Sequence, residues 1–184
     1  MAVRMLPLSV AELCVHALEL AREAASRLHE YSDRMRLLGA EPLAAVFEAF
    51  EKDKRIQGHA LEGACQGRRL PELSPWEYAW RIAYAPGKLD PSPRILPLDA
   101  REALELALAA ERRAAAFYDD VAEHARDVAV RACAADLATH SRPQVQRLEH
   151  LLAEEVRAAL TLRSRRDRLK IRSQQETNAR SSEA

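Results

Sequence analysis

The sequence predicts an all-α protein built from four long helices. Glycine is scarce, with 5 residues in 184, while alanine, leucine, glutamate and arginine dominate. Those four residue types favour helices and glycine weakens them. The hydrophobic share of 48% and the charged share of 30% are typical of a folded globular chain, not of a disordered one.

The first two helices are delimited by residues that begin and end helices. Ser9, followed three residues later by Glu12, forms a capping box that opens the first helix. Gly39 ends it, because glycine readily adopts the left-handed conformation that closes a helix. Pro42 suits the first turn of a second helix, which is expected to run to about Gly67.

The third and fourth helices begin at acidic residues. Asp99, with Glu102 three residues later, caps a third helix that is expected to last to about Ala125. Asp127 caps a fourth helix, which is expected to end at about Lys170.

A long connection, at about 68–98, separates the second helix from the third. It holds six of the nine prolines and both tryptophans. Trp76, Trp80 and Tyr84 are spaced i, i+4 and i+8, which places them on one face of a short helix. Two interpretations stay open: the aromatic residues cover the bundle, or they form an exposed surface that binds a partner.

Internal similarity relates the two halves of the chain. Residues 17–35 match residues 103–121 at eight of nineteen positions with a shift of 86, and residues 50–62 share four identities with residues 137–149 at a shift of 87. The chain is therefore predicted to contain two copies of a helical hairpin, forming a four-helix bundle with one crossover over residues 1–162. The long connection is expected to let the third helix run in the same direction as the first.

Two segments resemble a known family, the rubrerythrin-type ferritin-like proteins. They are ALELALAAERRAAAFYDDVAEHA, which begins at Ala103, and LATHSRPQVQRLEHLL, which begins at Leu137. The likeness spans about residues 10–160 and implies the ferritin-like fold. In that family, one Glu on each of two helices and a Glu-x-x-His pair on each of the other two bind two iron ions.

The resemblance also shows which iron ligands this sequence lacks. The family's ligand positions fall on one carboxylate, Glu111, and otherwise on Ala25, Lys54, Gln57, Ser141 and Gln144. Pro143 interrupts the last motif, and the rubredoxin module of typical rubrerythrins is absent. Because no hard anionic ligand set remains, the resemblance implies a protein without a di-iron centre or other cofactor. It would act as a structural, regulatory or partner-binding module.

The ligand positions suggest an interior polar cluster in place of a metal. We expect Lys54 and Glu111 to form a buried ion pair, since an unpaired buried carboxylate is costly. Gln57, Ser141 and Gln144 would complete a hydrogen-bond network. The alternative is that Lys54 extends to solvent and Glu111 is hydrated.

A displaced iron site is the alternative for function. His29, Asp53, Glu111 and His140 could form a shifted site, and the chain would then be an iron-binding oxidoreductase or peroxidase of the rubrerythrin kind. No catalytic residues are otherwise predicted, because no Ser-His-Asp, Cys-His or glycine-rich phosphate-binding pattern is present.

Cysteine usage and hydropathy predict a soluble cytoplasmic protein. Cys14, Cys65 and Cys133 are odd in number and far apart, with no CxxC motif, so neither a disulfide scaffold nor a zinc site is expected. Glu12 and His16 interrupt the first apolar stretch, which argues against a signal peptide. No apolar run is long enough to span a membrane.

The charge balance indicates which classes of binding partner to expect. The net charge is zero, whereas nucleic-acid binding requires a surplus of basic residues. Residues 163–172 are an exception, with six basic residues against Asp167. They could bind nucleic acid, anionic lipid or an acidic partner, or they could be the solvated end of a helix. Residues 163–184 together are predicted to be this basic helix end and a disordered tail, which comprises the final dozen residues. A homo-oligomer or a protein partner is expected.

Overall fold

Four long α-helices make up most of the described part of the structure. The computed structural model describes residues 6–75, 77–80 and 99–182, with side chains as far as residue 159 and at residue 161. The helices are α1 (Val10–Leu37), α2 (Glu41–Ala64), α3 (Ala100–His124) and α4 (Val128–Ser182). The described residues include no β-strand. The all-α prediction is therefore confirmed.

Three of the helices begin at the predicted caps. The Ser9 hydroxyl accepts a hydrogen bond from the backbone N–H of Glu12 at 3.2 Å. The Asp99 carboxylate accepts one from the N–H of Glu102 at 2.8 Å. The Asp127 carboxylate accepts one from the N–H of Ala129 at 2.7 Å. Each cap satisfies backbone donors that have no partner inside the helix.

The fourth helix is longer than predicted. It passes through Pro143 and continues to Ser182, beyond the expected end at Lys170 and through the tail that was predicted to be disordered. Its 55 residues correspond to about 80 Å at the usual helical rise. The other three helices have 24 to 28 residues, about 40 Å each, so the C-terminal part of α4 extends past them.

The core consists of two apolar clusters. The first cluster lies where α1 begins and includes Leu13, Trp80, Phe117, Val121 and Val130. The second cluster lies where α1 ends and contains other members, among them Leu28, Met35, Phe47, Leu104 and Leu148. Phe47 and Phe117 are completely buried, so each cluster contains a large aromatic anchor.

The direction of α3 differs from the prediction. The start of α1 shares the first cluster with the end of α3, and the end of α1 shares the second cluster with the start of α3. Therefore α3 is antiparallel to α1 and parallel to α2. The physical reason lies in the connection: α2 ends where α1 begins, so a third helix parallel to α1 could start there after a short loop. A long connection is needed to return the chain to the opposite end.

The crossover contributes to the core. Tyr78, Ala79 and Trp80 are buried in the first cluster. The Tyr78 ring meets the His16 ring edge to face, with centroids 5.4 Å apart. Leu61, in the second half of α2, packs against this cluster, but residues 55–64 of α2 include no buried side chain. Trp76 and Tyr84 lie outside the described residues.

Two glycines of the first hairpin should respond to alanine in opposite ways. Gly39 has a φ of 74°, in the left-handed region, whereas Gly63 lies inside α2, where an added Cβ would meet only open space. We expect Gly39→Ala to lower the free energy of unfolding by about 1 kcal/mol. Gly63→Ala should raise it by about 0.5–1 kcal/mol. Urea unfolding of both variants checks this, and changes of the same sign would contradict it.

Candidate functional site

A buried ion pair lies between the two apolar clusters. The ammonium group of Lys54 donates a hydrogen bond to Glu111 Oε2 at 2.7 Å. The two residues are 5% and 4% exposed. The ammonium therefore lies inside the bundle and does not extend to solvent.

The register of the parallel helices α2 and α3 brings the pair together. Lys54 follows the buried Phe50 by one helical turn, and Glu111 follows the buried Ala107 by one turn. Residues four apart share a helix face, so both side chains point inward from the same faces as the second cluster. The pair thus occupies the next layer of the bundle.

The rest of the expected network is not joined to this pair. The Ser141 hydroxyl is buried but donates to the backbone carbonyl of Leu137 at 3.0 Å. Gln144 has a buried Oε1 without a hydrogen-bond partner among the described residues. No hydrogen bond within the described part of the chain links Gln57, Ser141 or Gln144 to Lys54 or Glu111. Serine in a helix readily bonds to the carbonyl four residues earlier, and the sequence pattern could not exclude this competing partner.

A small cavity adjoins the ion pair. It measures about 30 Å³ and is lined by Lys54, Glu111, Gln57, Trp80 and Tyr118 together with residues of α1. One ordered water needs roughly 10–15 Å³ and polar neighbours, so the cavity can hold water against the pair. Tyr118 was not among the predicted site residues, although its spacing of two helical turns from Glu111 is a signal that could have indicated it.

Tyr118 is held in its neutral form. Burial raises the pKa of its phenol above the ordinary value, and the nearby negative charge of Glu111 raises it further. A neutral phenol retains its proton as a hydrogen-bond donor. The cavity is therefore lined by an ammonium group, a carboxylate and a phenol among apolar side chains, and these three groups can form hydrogen bonds with a bound water.

The displaced metal site is not assembled. His29 contacts Glu51 at 3.1 Å, and His140 Nδ1 lies 2.7 Å from the Asp136 carbonyl. Asp53 is exposed. Among residues 6–75, 77–80 and 99–182, no group of three or more His, Cys, Asp or Glu side chains is arranged to hold a metal ion.

The proposed aromatic partner surface needs correction at Trp80. This residue is 2% exposed and belongs to the first cluster, so it cannot form part of an exposed surface with Trp76 and Tyr84. Those two residues lie outside the described part of the chain. The physical reason is the path of the crossover, which turns the indole towards the bundle interior, where its large apolar area is removed from water.

A disulfide forms between two of the cysteines, although their number and spacing predicted no disulfide scaffold. Cys14 and Cys65, which are 51 residues apart in sequence, form a disulfide. The antiparallel hairpin explains this, because it places the beginning of α1 beside the end of α2. Cys133 is a free, half-buried thiol.

An open groove lies on the other side of Lys54. It measures about 400 Å³ and runs between α1 and α2 over the small residues Ala21, Ala25 and Gly58. Lys54 lines both this groove and the small cavity. Arg22 of α1 pairs with Glu62 of α2 at 2.9 Å along the groove.

Comparisons with known proteins support the architecture. An uncharacterized conserved protein from Magnetospirillum magnetotacticum, known from a crystal structure at 2.00 Å resolution, is similar to this chain with a TM-score of 0.66 and 25% sequence identity. The similarity covers 79% of this chain and 95% of that one. The chain has the ferritin-like fold. No protein-family profile and no curated protein matches it.

Two further facts describe this ferritin-like bundle. Two helical hairpins, α1–α2 and α3–α4, account for most contacts between helices, and the Lys54–Glu111 pair joins one hairpin to the other. In the described part of the chain, no helix is both long and apolar enough to cross a membrane.

Proposed function

We propose that this chain is a degenerate ferritin-like protein of the rubrerythrin kind, in which an internal ion pair replaces the di-iron centre. It would act as a structural, regulatory or partner-binding module. One observation carries this proposal. The buried ammonium group of Lys54 lies 2.7 Å from the carboxylate of Glu111, which is the one carboxylate among the family's ligand positions.

The side chains at this position do not fit a pair of iron ions. Iron in such bundles needs several carboxylate and imidazole ligands, whereas the positions implied by the resemblance hold Ala25, Gln57, Ser141 and Gln144. The Glu111 carboxylate is already bonded to a cation. A metal ion entering this space would have to displace that ammonium group and would gain a single anionic ligand.

The ion pair can serve the fold instead of a reaction. It joins α2 to α3 in the layer between the apolar clusters, so it fixes the register of one hairpin on the other. A partner or a second copy of the chain would then bind the outer face of a rigid bundle. Light scattering of the purified protein tests the self-association branch, since a second copy doubles the 20.6 kDa mass of one chain.

Iron content tests the proposal as a whole. The chain is purified after growth with added iron, and metal per chain is measured for the native sequence and for Glu111→Gln. We expect both to contain less than about 0.1 tightly bound iron per chain, because the ligand set is too poor. About two irons per native chain, lost in Glu111→Gln, would overturn the proposal. Stoichiometric iron that survives Glu111→Gln would also overturn the proposal and would indicate a site that does not use Glu111.

A further inference from the structure

We propose that the Cys14–Cys65 disulfide is a redox-controlled latch on the second half of α2. When the disulfide is reduced, residues 55–65 separate from the bundle more readily. The interior around Lys54 and Glu111 then becomes accessible to solvent and to small polar molecules.

The second half of α2 is weakly anchored. The buried residues of α2 are Ala44, Phe47, Phe50 and Lys54, and none lies after residue 54. In this part of the bundle, the apolar core is filled instead by Tyr78, Ala79 and Trp80 of the crossover. A helix segment without buried side chains contributes little hydrophobic stabilisation, so the free energy needed to separate it from the bundle is small.

Other interactions of this segment with the bundle are modest. Leu61 packs against the first cluster but is only partly buried. Both side chains of the Arg22–Glu62 ion pair are exposed, and exposed ion pairs contribute little to the free energy of folding. Gly58 and Gly63 lie within the segment and lower its helix propensity. The disulfide is therefore the strongest connection of this segment to α1.

The position of the disulfide suits a latch. Cys65 is the residue that caps α2, and Cys14 is buried in the second turn of α1. A covalent bond at this end holds the terminal turns of α2 against α1. If the C-terminal turns of α2 separate from α1, starting at Cys65, the opening extends towards Lys54. Lys54 becomes exposed because it lies between the outer groove and the inner cavity.

The chemical step is a two-electron reduction. A dithiol reductant attacks the disulfide, the S–S bond breaks, and Cys14 and Cys65 become thiols while the reductant becomes a disulfide. Both cysteines are at most 5% exposed, so the attack requires transient opening of the segment.

Acetylation of lysine tests the proposal with an internal control. Lys52 and Lys54 lie on the same helix, but Lys52 is exposed and Lys54 is buried. The full chain is treated with acetic anhydride in oxidised form and after dithiothreitol, and the two sites are quantified by mass spectrometry. We expect reduction to raise the ratio of acetylation at Lys54 to that at Lys52 by about tenfold or more.

Hydrogen exchange separates local from global opening. Reduction should accelerate exchange of the amides of residues 55–65 while those of residues 103–121 keep their protection. Cys133→Ser should respond as the native chain does. The double variant Cys14→Ser with Cys65→Ser should show the high acetylation ratio with or without reductant.

Three results would each overturn the latch. The first is an unchanged acetylation ratio after reduction is verified by thiol counting. The second is equal acceleration of exchange in both segments, which would make the disulfide a support of the whole fold. The third is the presence of free Cys14 and Cys65 thiols in protein treated with oxidised glutathione. If the double variant does not fold, the comparison of oxidised with reduced native protein still decides between these outcomes.

Discussion

Replacing Glu111 with alanine should lower the free energy of unfolding by about 3–5 kcal/mol. The substitution leaves the Lys54 ammonium buried, at 5% exposure, without its carboxylate partner. An uncompensated charge in the interior is among the costliest defects in a folded protein. For a chain of this size, the loss corresponds to a fall in melting temperature of roughly 6–20 °C. Thermal and urea unfolding at pH 7 measure it.

The double variant Lys54→Met with Glu111→Leu is the matched comparison. Well-packed apolar residues often replace a buried ion pair at little or no cost, so this variant should unfold close to the native chain. Arg112→Ala is a control for a surface pair, because its contact with Glu149 is exposed, and its cost should stay within about 1 kcal/mol. A neutral Glu111→Ala would show that the buried pair contributes nothing, and the structural role proposed for it would be wrong.

Acidification should destabilise the protein through His16. Burial lowers the pKa of this side chain from 6.5 to about 4. Between those values the unfolded chain takes up a proton that the folded chain does not. The stability tied to neutral His16 is therefore complete above pH 6.5 and is lost as the pH falls towards 4. The linked loss is about 2–3 kcal/mol between pH 7 and pH 4.5.

The variant His16→Leu separates this effect from other titrations. The free energy of unfolding of both proteins is measured in urea at pH 7 and at pH 4.5. The decrease between the two pH values should be smaller in His16→Leu than in the native chain, by about 2–3 kcal/mol. His150→Gln is the control, because His150 lies on the surface beside Glu154 and should keep the native dependence. An identical pH dependence in native and His16→Leu proteins would contradict the prediction.

The location of His16 explains why the sequence did not reveal this sensitivity. Its ring packs between Tyr78 and Phe117, with centroids 5.4 Å from each. Tyr78 comes from the crossover and Phe117 from α3, so the burial depends on two segments distant in sequence. A histidine in an amphipathic helix looks the same in the sequence whether it faces solvent or this aromatic contact.

The part of the predicted site that depends on helix faces is the contact between Lys54 and Glu111. Lys54 and Glu111 each occupy an inward position of a regular helix, and the resemblance placed both at the same centre. The network around them could not be predicted, since Ser141 bonds to a carbonyl of its own helix. The helical spacing from Glu111 could have indicated Tyr118, but Trp80 could not be predicted as a lining residue of the cavity, because its position depends on how the crossover meets the helices.

The sequence by itself determined the four helices, the capped beginnings of three of them, and the inward positions of Lys54 and Glu111. These features depend on interactions within a few residues, namely side-chain caps, helix propensity and the helical period. Only the tertiary structure decided the direction of α3, the burial of Trp80 and the pairing of Cys14 with Cys65. Each of these depends on the path of a connection or on contacts between residues many positions apart, whose free energies appear only when the hairpins pack together.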